Sequence, residues 1–175
     1  MKTGFILRGV AALAMAAALA GCGTSYAWRP TVPEGMRTVC VPTFANETDV
    51  SEMGAVAARQ LLREIQREGT FRVATADDAA IEVQGVVKRL RIGGGAYNRR
   101  TGMRYASFTL RADVEISVID KARHAVLVDA KPYVASAQVT SSQDLMTSKR
   151  DASGRLMEDL ASQVVDDLLT LKFEK

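Results

Sequence analysis

Apolar and polar residues alternate most regularly between Phe108 and Val118. Every second residue in this stretch is apolar, and the residues between them, from Thr109 to Ser117, are polar or charged. Because successive side chains of a strand point to opposite faces, the alternation predicts a strand with one buried face. Such a division is typical of an antiparallel sheet that exposes its other face to water.

Other stretches with strand character lie on both sides of this one. Residues 38–44 form a short apolar and β-branched run, and residues 80–92 and 124–139 form longer ones. Residues 71–75 predict a short strand or the approach to one. Pro132 lacks a backbone N–H, so we expect the last strand to bend there or to lie at a sheet edge.

The apolar positions of the second long strand change parity along its length. Val83 belongs to one alternating set, whereas Leu90 belongs to the other. One extra residue in the strand would account for the change, and we predict a β-bulge near Gly85. Three consecutive glycines at positions 93–95 then predict a loop that closes near Gly102.

Two stretches have the spacing of amphipathic helices. One runs from about Ser51 to Glu68 and is followed by Gly69, a residue favoured just after a helix end. The other begins near Asp151 or Ser153 and continues to Leu171. Each has a single apolar stripe, formed by Met53, Ala57, Leu61 and Ile65 in the first helix and by Leu156, Leu160, Val164 and Leu168 in the second.

The order of these elements predicts the fold class. It is α/β, an α+β sandwich of order β-α-β-β-β-α, in which the strand-helix-strand unit makes a right-handed parallel crossover and the later hairpins add antiparallel strands. With one apolar stripe each, both helices can pack on one face of a four-stranded mixed sheet. We expect a single domain at residues 38–175, since a chain of this length suits one core.

The first residues have the composition of an export signal. Lys2 and Arg8 precede an uncharged apolar run at residues 10–20, which is too short to span a bilayer. The run ends in Leu-Ala-Gly-Cys, with the cysteine at position 22, which resembles the lipobox of bacterial lipoproteins. We therefore predict that residues 1–21 are a cleaved lipoprotein signal peptide and that Cys22 carries the lipid, palmitate included. The alternative is an ordinary signal peptide or a buried helix with a chance cysteine.

The residues after the lipobox lead into the fold. Residues 22–37 contain Pro30, Pro33 and Gly35, and their composition favours an extended tether. Gly23 occupies a position where aspartate often retains a lipoprotein in the inner membrane, so we expect the outer membrane as the destination. Removal of residues 1–21 lowers the basic count from 23 to 21 against 20 acidic residues, so the formal charge falls from +3 to +1.

Sequence patterns for catalysis and metal binding are missing. The chain has one histidine, His124, in a predicted turn, and it has neither a Gly-x-Ser-x-Gly nor a His-Glu-x-x-His motif. Cys40 lies between two valines and is interpreted as a small buried hydrophobe without a disulfide partner. The acidic pairs at 77–78 and 166–167 are interpreted as solvated charge. We expect no enzyme activity, cofactor or metal ion.

One stretch of the chain is strongly cationic. No acidic residue occurs between Val83 and Ala112, whereas seven basic ones do. The pattern predicts either a solvated strand face and loop or an anion site for phosphorylated lipids, acidic glycans or a negatively charged partner. Nucleic acid is a poor candidate in an exported protein. The basic residues are Lys88, Arg89, Arg91, Arg99, Arg100, Arg104 and Arg111.

Residues 39–48, Val-Cys-Val-Pro-Thr-Phe-Ala-Asn-Glu-Thr, resemble the first strand and turn of the LPS-assembly lipoprotein family, LptE. Pro42, Phe44, Asn46 and Thr48 stand at the positions of the family's Val-x-Val-Pro-x-Phe-x-Asn-x-Thr pattern. The similarity continues through the first helix, the Asp-Asp-Ala-Ala-Ile-Glu-Val-Gln-Gly segment at 77–85, the long alternating strand and the terminal helix.

The resemblance implies a lipoprotein of cell-envelope biogenesis that takes part in LPS transport. Such a protein sits inside the LptD outer-membrane barrel, supports its folding and contacts LPS. The positions matching the family's LPS-contacting regions are Arg99 and Arg100 in the hairpin loop and Lys149 and Arg150 before the last helix; Arg89, Arg91 and Arg104 are further anion-binding candidates on the same cationic stretch.

The same strand-turn motif also resembles other periplasmic lipoproteins. These are the outer-membrane activators of penicillin-binding proteins and the curli-secretion family, which are binding modules that reach a synthase or form a secretion pore. A lipid-anchored hydrolase is a third hypothesis, which the missing nucleophile and base disfavour.

Overall fold

A computed structural model describes residues 32–96, 107–140 and 145–171. A short 3-10 turn, Glu34–Met36, comes before the main elements. The strands are β1 (Thr38–Cys40), β2 (Ala45–Asn46), β3 (Arg72–Val73), β4 (Ile81–Ala96), β5 (Ser107–Asp120) and β6 (Ala125–Thr140), and the helices are α1 (Met53–Glu68) and α2 (Leu145–Thr170).

The strands form one mixed sheet, and the predicted fold class is confirmed. The strand order is β3-β1-β4-β5-β6, and β2 pairs with β4 beyond the end of β1. The short strands pair in parallel, β1 with β3 and both β1 and β2 with β4, whereas the three long strands are antiparallel. Both helices cover the same face of this sheet, on which the predicted apolar set of β5 is buried.

The predicted first strand, residues 38–44, is divided in the structure. Its first part is β1, and the chain pairs with the sheet again only at β2. In between, Pro42 has no N–H to donate to a ladder, and Phe44 turns its side chain into the core, where it is buried. The strand is therefore interrupted where a core aromatic residue is inserted.

The β-bulge that we predicted near Gly85 is in a different place. Gly85 is paired in register with Ile116, and the register of β4 and β5 shifts between Val87 and Arg89 and again between Gly93 and Gly95. The parity change is thus absorbed at Lys88. Beyond the shift, Leu90 stands opposite Ala112 and returns to the helix-covered face.

The two helices contribute their apolar stripes to one core, as predicted. Leu61 and Ile65 of α1, and Leu156 and Leu160 of α2, are fully buried. Gly69 ends α1 in a left-handed conformation, with its N–H donating to the carbonyl of Ile65. Burial of these stripes against the sheet supplies most of the hydrophobic stabilisation of the fold.

Helix α2 begins at Leu145, about two turns before the predicted start at Asp151 or Ser153. The spacing of apolar residues did not predict the beginning of the helix, because polar residues occupy buried positions there. Ser148 and Lys149 are both buried, and the Lys149 ammonium is paired with Asp49. A buried lysine therefore takes the place of the apolar residue that this spacing requires.

The predictions for the last strand and for the turn before it are confirmed. β6, which contains Pro132, is an edge strand, and the chain turns between Asp120 and Ala125 as expected. Val32, which lies six residues before the predicted domain start, is buried. Within the described ranges, no helix is long and apolar enough to cross a membrane.

Candidate anion-binding surface

The described part of the cationic stretch lies on the open face of the sheet, opposite the helices. Arg89 and Arg91 are on β4, and Arg111 is on β5. The antiparallel register places Arg91 directly opposite Arg111 and Arg89 directly opposite Asp113. Three guanidinium groups from two neighbouring strands are therefore held on one side of a rigid strand pair.

Asp113 is the centre of this group. Arg91 donates a hydrogen bond from Nη2 to Asp113 Oδ2, Arg89 Nε lies 3.6 Å from Oδ2, and Arg111 Nε lies 3.4 Å from Oδ1. Like charges directly opposite each other in a sheet are destabilising, and the shared carboxylate offsets this repulsion. We call Arg89, Arg91, Arg111 and Asp113 the arginine cluster.

The arginine cluster keeps an excess of positive charge at the surface. The arginine side chains are 69%, 55% and 53% exposed for Arg89, Arg91 and Arg111, whereas Asp113 is only 19% exposed. Three cations share one anion, so two positive charges are left over. Asp113 Oδ1 is itself buried and has no hydrogen-bond partner among the described residues. Several guanidinium N–H groups thus face solvent, available to an anion.

Lys88 is paired separately, beside the arginine cluster. Its ammonium lies 3.0 Å from Glu47 and 3.6 Å from Glu115. The hydrogen bond to Glu47, together with the charge of Glu115, raises the pKa of Lys88. Because two carboxylates surround this lysine, the open face is polarised, and its positive end is the arginine cluster.

Two predicted site residues lie elsewhere, at the start of α2. The Lys149 ammonium is 2.8 Å from Asp49, with only a tenth of the lysine side chain exposed, and its hydrogen bond lowers the pKa of Asp49. Arg150 is exposed and lines an open cavity of about 440 Å³ together with Asp49, Glu52 and Thr147. Of the two, Arg150 is accessible, and Lys149 ties the helix to the loop before α1.

Four predicted site residues lie outside the described residues: Cys22, Arg99, Arg100 and Arg104. The structure therefore brings Arg89 and Arg91 together and separates them from Lys149 and Arg150, which belong to the helical layer.

A second polar group, which the sequence analysis missed, joins the edge strand to α2. Lys131 Nζ and Tyr133 Oη both donate to Asp167 Oδ2, each over 2.6 Å. Partial burial acts to raise the pKa of Asp167, but these two hydrogen bonds and the charge of Lys131 outweigh it, so the pKa is lowered. Burial also raises the pKa of Tyr133. The sequence contains one sign of this group. Lys131 and Tyr133 are two residues apart on β6, so their side chains lie on the same face of the strand.

Cys40 and His124 both lie in the ranges that the structure describes, 32–96, 107–140 and 145–171. Within these ranges no set of three His, Cys, Asp or Glu side chains is arranged to hold a metal ion. Cys40 is buried in β1, and desolvation raises the pKa of its thiol. His124 is exposed, in a turn with a φ of 51°. The described surface thus offers exposed arginine N–H groups as hydrogen-bond donors.

Fold and surface together define a two-layer α+β domain with a group of exposed arginines on its open sheet face. A family model described as LptE, lipopolysaccharide-assembly, matches residues 36–168. The chain therefore belongs to the LptE family. No curated protein matches it significantly.

Solved structures with TM-scores above 0.5 share the fold at low sequence identity. A protein from Xanthomonas campestris has a TM-score of 0.55 at 9% identity, covering 80% of this chain and 88% of its own. A hypothetical protein from Chlamydia trachomatis has a TM-score of 0.53 at 14% identity, covering 75% of this chain and 95% of its own. A minor lipoprotein from Acinetobacter baumannii has a TM-score of 0.47 at 12% identity, covering 77% and 93%.

Proposed function

We propose that this chain is an outer-membrane lipoprotein, anchored through Cys22, that plugs and supports an LptD-type β-barrel and binds LPS during its assembly at the cell surface. The observation that carries the proposal is the match of the LptE model to residues 36–168. These residues include β1 to β6, α1 and all but the last two residues of α2. The protein acts by binding, without catalysis.

The chemistry of the described residues supports an anionic ligand. The open sheet face presents the arginine cluster, and Arg150 lines a cavity at the start of α2. Arginine suits phosphate because its planar fork donates paired hydrogen bonds. Arg99, Arg100 and Arg104 belong to the same cationic stretch of sequence. We propose all of these as LPS contacts, with Lys149 holding α2 in place beside Arg150.

Affinity purification of the lipidated chain tests the barrel partner. The full-length chain, tagged and extracted in mild detergent, should co-purify with one large outer-membrane β-barrel, identified by mass spectrometry. Recovery of a peptidoglycan synthase, or of a ring of this chain alone, would replace the proposal with one of the other periplasmic lipoprotein functions. Recovery of no partner would also contradict it.

A charge reversal tests the LPS contact. The double variant Arg99→Glu/Arg100→Glu replaces attraction by repulsion, and charge-assisted hydrogen bonds contribute about 1.5 to 3 kcal/mol each, so LPS affinity should fall by at least about tenfold. The far-ultraviolet circular dichroism and the barrel association should be retained. An unchanged affinity in the folded variant, at low and at high salt, would remove these two arginines from the site.

A further inference from the structure

A cavity of about 440 Å³ lies where the starts of the two helices meet. One wall is the segment before α1, from Asp49 to Glu52, and the other is the first turns of α2, with Thr147 and Arg150. The buried Lys149 of α2 lies 2.8 Å from Asp49. An ion pair therefore holds the two walls together, and the cavity does not depend on a single mobile side chain.

The two walls carry opposite charges that do not meet. Glu52 and Arg150 are exposed and line the same cavity, yet neither has an ion-pair partner among the residues that the structure describes. Asp49 binds Lys149 through Oδ2, while more than half of the Asp49 side chain stays exposed. With that pair counted as neutral, one carboxylate and one guanidinium group remain. The charges of the cavity thus sum to zero but stay separated.

Separated charges of opposite sign indicate a ligand that carries both. A simple anion would be attracted by Arg150 but repelled by Glu52, and a simple cation would meet the reverse. A phosphoethanolamine group has an ammonium donor and phosphate acceptor oxygens on either side of a two-carbon spacer. Because Glu52 and Arg150 are not in contact, this spacer matches the gap better than the single carbon between the charges of an α-amino acid. The hydroxyls of Ser51 and Thr147 can donate to the phosphate as well.

We propose that the cavity between the starts of α1 and α2 binds a phosphoethanolamine headgroup, with the ammonium on the carboxylates of Glu52 and Asp49 and the phosphate on Arg150. The phosphate contact of Arg150 rests on the proposed function, whereas the ammonium contact is independent of it. Two sources carry this headgroup: a phospholipid, and a glycolipid that is modified with phosphoethanolamine.

The test uses the full-length chain in detergent and titrates three soluble probes by calorimetry. Glycerophosphoethanolamine carries both charges, glycerophosphoglycerol carries only the phosphate, and ethanolamine carries only the ammonium. The test variant is Glu52→Gln, which removes the unpaired carboxylate and keeps the size of the side chain. The matched control is Glu158→Gln, which makes the same change at an exposed position of α2. Asp49 is left unchanged because it holds Lys149.

We expect wild type to bind glycerophosphoethanolamine at least about fivefold more tightly than either other probe, because only this probe meets both charges. Glu52→Gln should lose the preference over glycerophosphoglycerol, and Glu158→Gln should keep it. Equal binding of these two probes by wild type overturns the proposal, and so does an unchanged preference in the test variant. The variant should fold, since the Glu52 side chain makes no capping hydrogen bond to α1, and the wild-type preference tests the proposal even without it.

Competing lipids in the same detergent separate the two sources. Displacement of glycerophosphoethanolamine by phosphatidylethanolamine identifies a phospholipid, and displacement only by lipid A that carries phosphoethanolamine identifies a glycolipid. Displacement by neither overturns the proposal. Barrel recovery separates this inference from the proposed function. If wild type recovers no barrel but prefers glycerophosphoethanolamine, the proposed function fails and the headgroup site stands; if the barrel is recovered and the preference is absent, the headgroup site is wrong.

Discussion

Phe44 lies between two glycines, Gly54 and Gly85, whose missing side chains allow a close approach. A Cβ at Gly54 of α1 would lie 2.1 Å from the Phe44 carbonyl oxygen, and a Cβ at Gly85 of β4 would lie 2.4 Å from the Phe44 ring. Neither distance is possible between real atoms. The two glycines therefore determine how closely the segment between β1 and β2 packs between α1 and β4. The glycine at position 85 is thus required by the contact with Phe44 and not by a β-bulge, since Gly85 is paired in register with Ile116.

The substitution Gly85→Ala should overpack this contact. The new methyl group has to displace the ring of a buried phenylalanine, and such overpacking costs about 1 to 3 kcal/mol. Gly93→Ala on the same strand is the control, because nothing lies within 4 Å of a Cβ there. Urea unfolding of both variants measures the difference in free energy of unfolding. Equal values for the two would show that the Phe44 ring does not press on Gly85.

Asp167 should make the stability of the protein depend on pH in the acid range. Its folded pKa lies below the ordinary value of 3.8 because of Lys131 and Tyr133. A lowered folded pKa means that the stabilisation is complete above the unfolded pKa and is lost as the pH falls through the folded pKa. The difference in free energy of unfolding between wild type and Asp167→Asn should therefore be larger at about pH 7 than at about pH 2.5.

Two variants check which contacts are responsible. Tyr133→Phe removes one hydrogen bond to the Asp167 carboxylate and should cost about 1.5 to 3 kcal/mol near neutral pH. Asp166→Asn, at an exposed carboxylate next in the chain, serves as the control for a change in net charge. A pH dependence of Asp167→Asn no different from that of Asp166→Asn would exclude this polar group as the cause.

At the scale of the element, β5 has one face buried against the helices and one face turned to solvent. Val114 is 1% exposed and faces the helices, whereas Glu115 faces outward and pairs with Lys88. Val114→Ala should cost about 1 to 3 kcal/mol, and Glu115→Ala should stay within about 0.5 kcal/mol. Thermal or urea unfolding measures both. If the two substitutions cost the same, β5 is not half-buried.

The spacing of apolar residues predicted most of the elements, because each element buries one face. The buried residues therefore recur at the period of the strand or the helix. The prediction failed where burial does not follow hydrophobicity. Lys149 is buried because Asp49, one hundred residues earlier in the chain, neutralises it. The break in the first strand depends on Phe44 meeting Gly85. Both are tertiary contacts, which local spacing does not contain.

The candidate site was predicted only in part for the same reason. The run without acidic residues from Val83 to Ala112 identified the cationic strand pair, including Arg89 and Arg91. Asp113 lies one residue beyond that run, so composition placed it outside the site. Only the register of β4 and β5, which depends on the bulge at Lys88, puts Asp113 opposite Arg89.

At the scale of the whole molecule, the two faces of the sheet are used differently. The helices cover one face and close the core, and the other face is left open with polar and charged side chains. Val126 and Val134 on β6 are among the exposed apolar residues of the described chain. A protein with one covered and one open face is suited to working against a larger surface, and a lipid anchor would keep it there.

The proposed location depends on the proposed lipidation of Cys22. We propose it from the Leu-Ala-Gly-Cys ending of the apolar run, which resembles a lipobox. A diacylated cysteine carries two fatty-acid chains, which would give the stable membrane attachment that a single chain does not. Cys22→Ala should leave a soluble or uncleaved protein that incorporates no labelled palmitate, whereas Cys40→Ala, which alters a buried cysteine, should still be labelled. Labelling and membrane fractionation of both variants measure this. A Cys22→Ala protein that is labelled and fractionates with the outer membrane would show that the anchor is elsewhere.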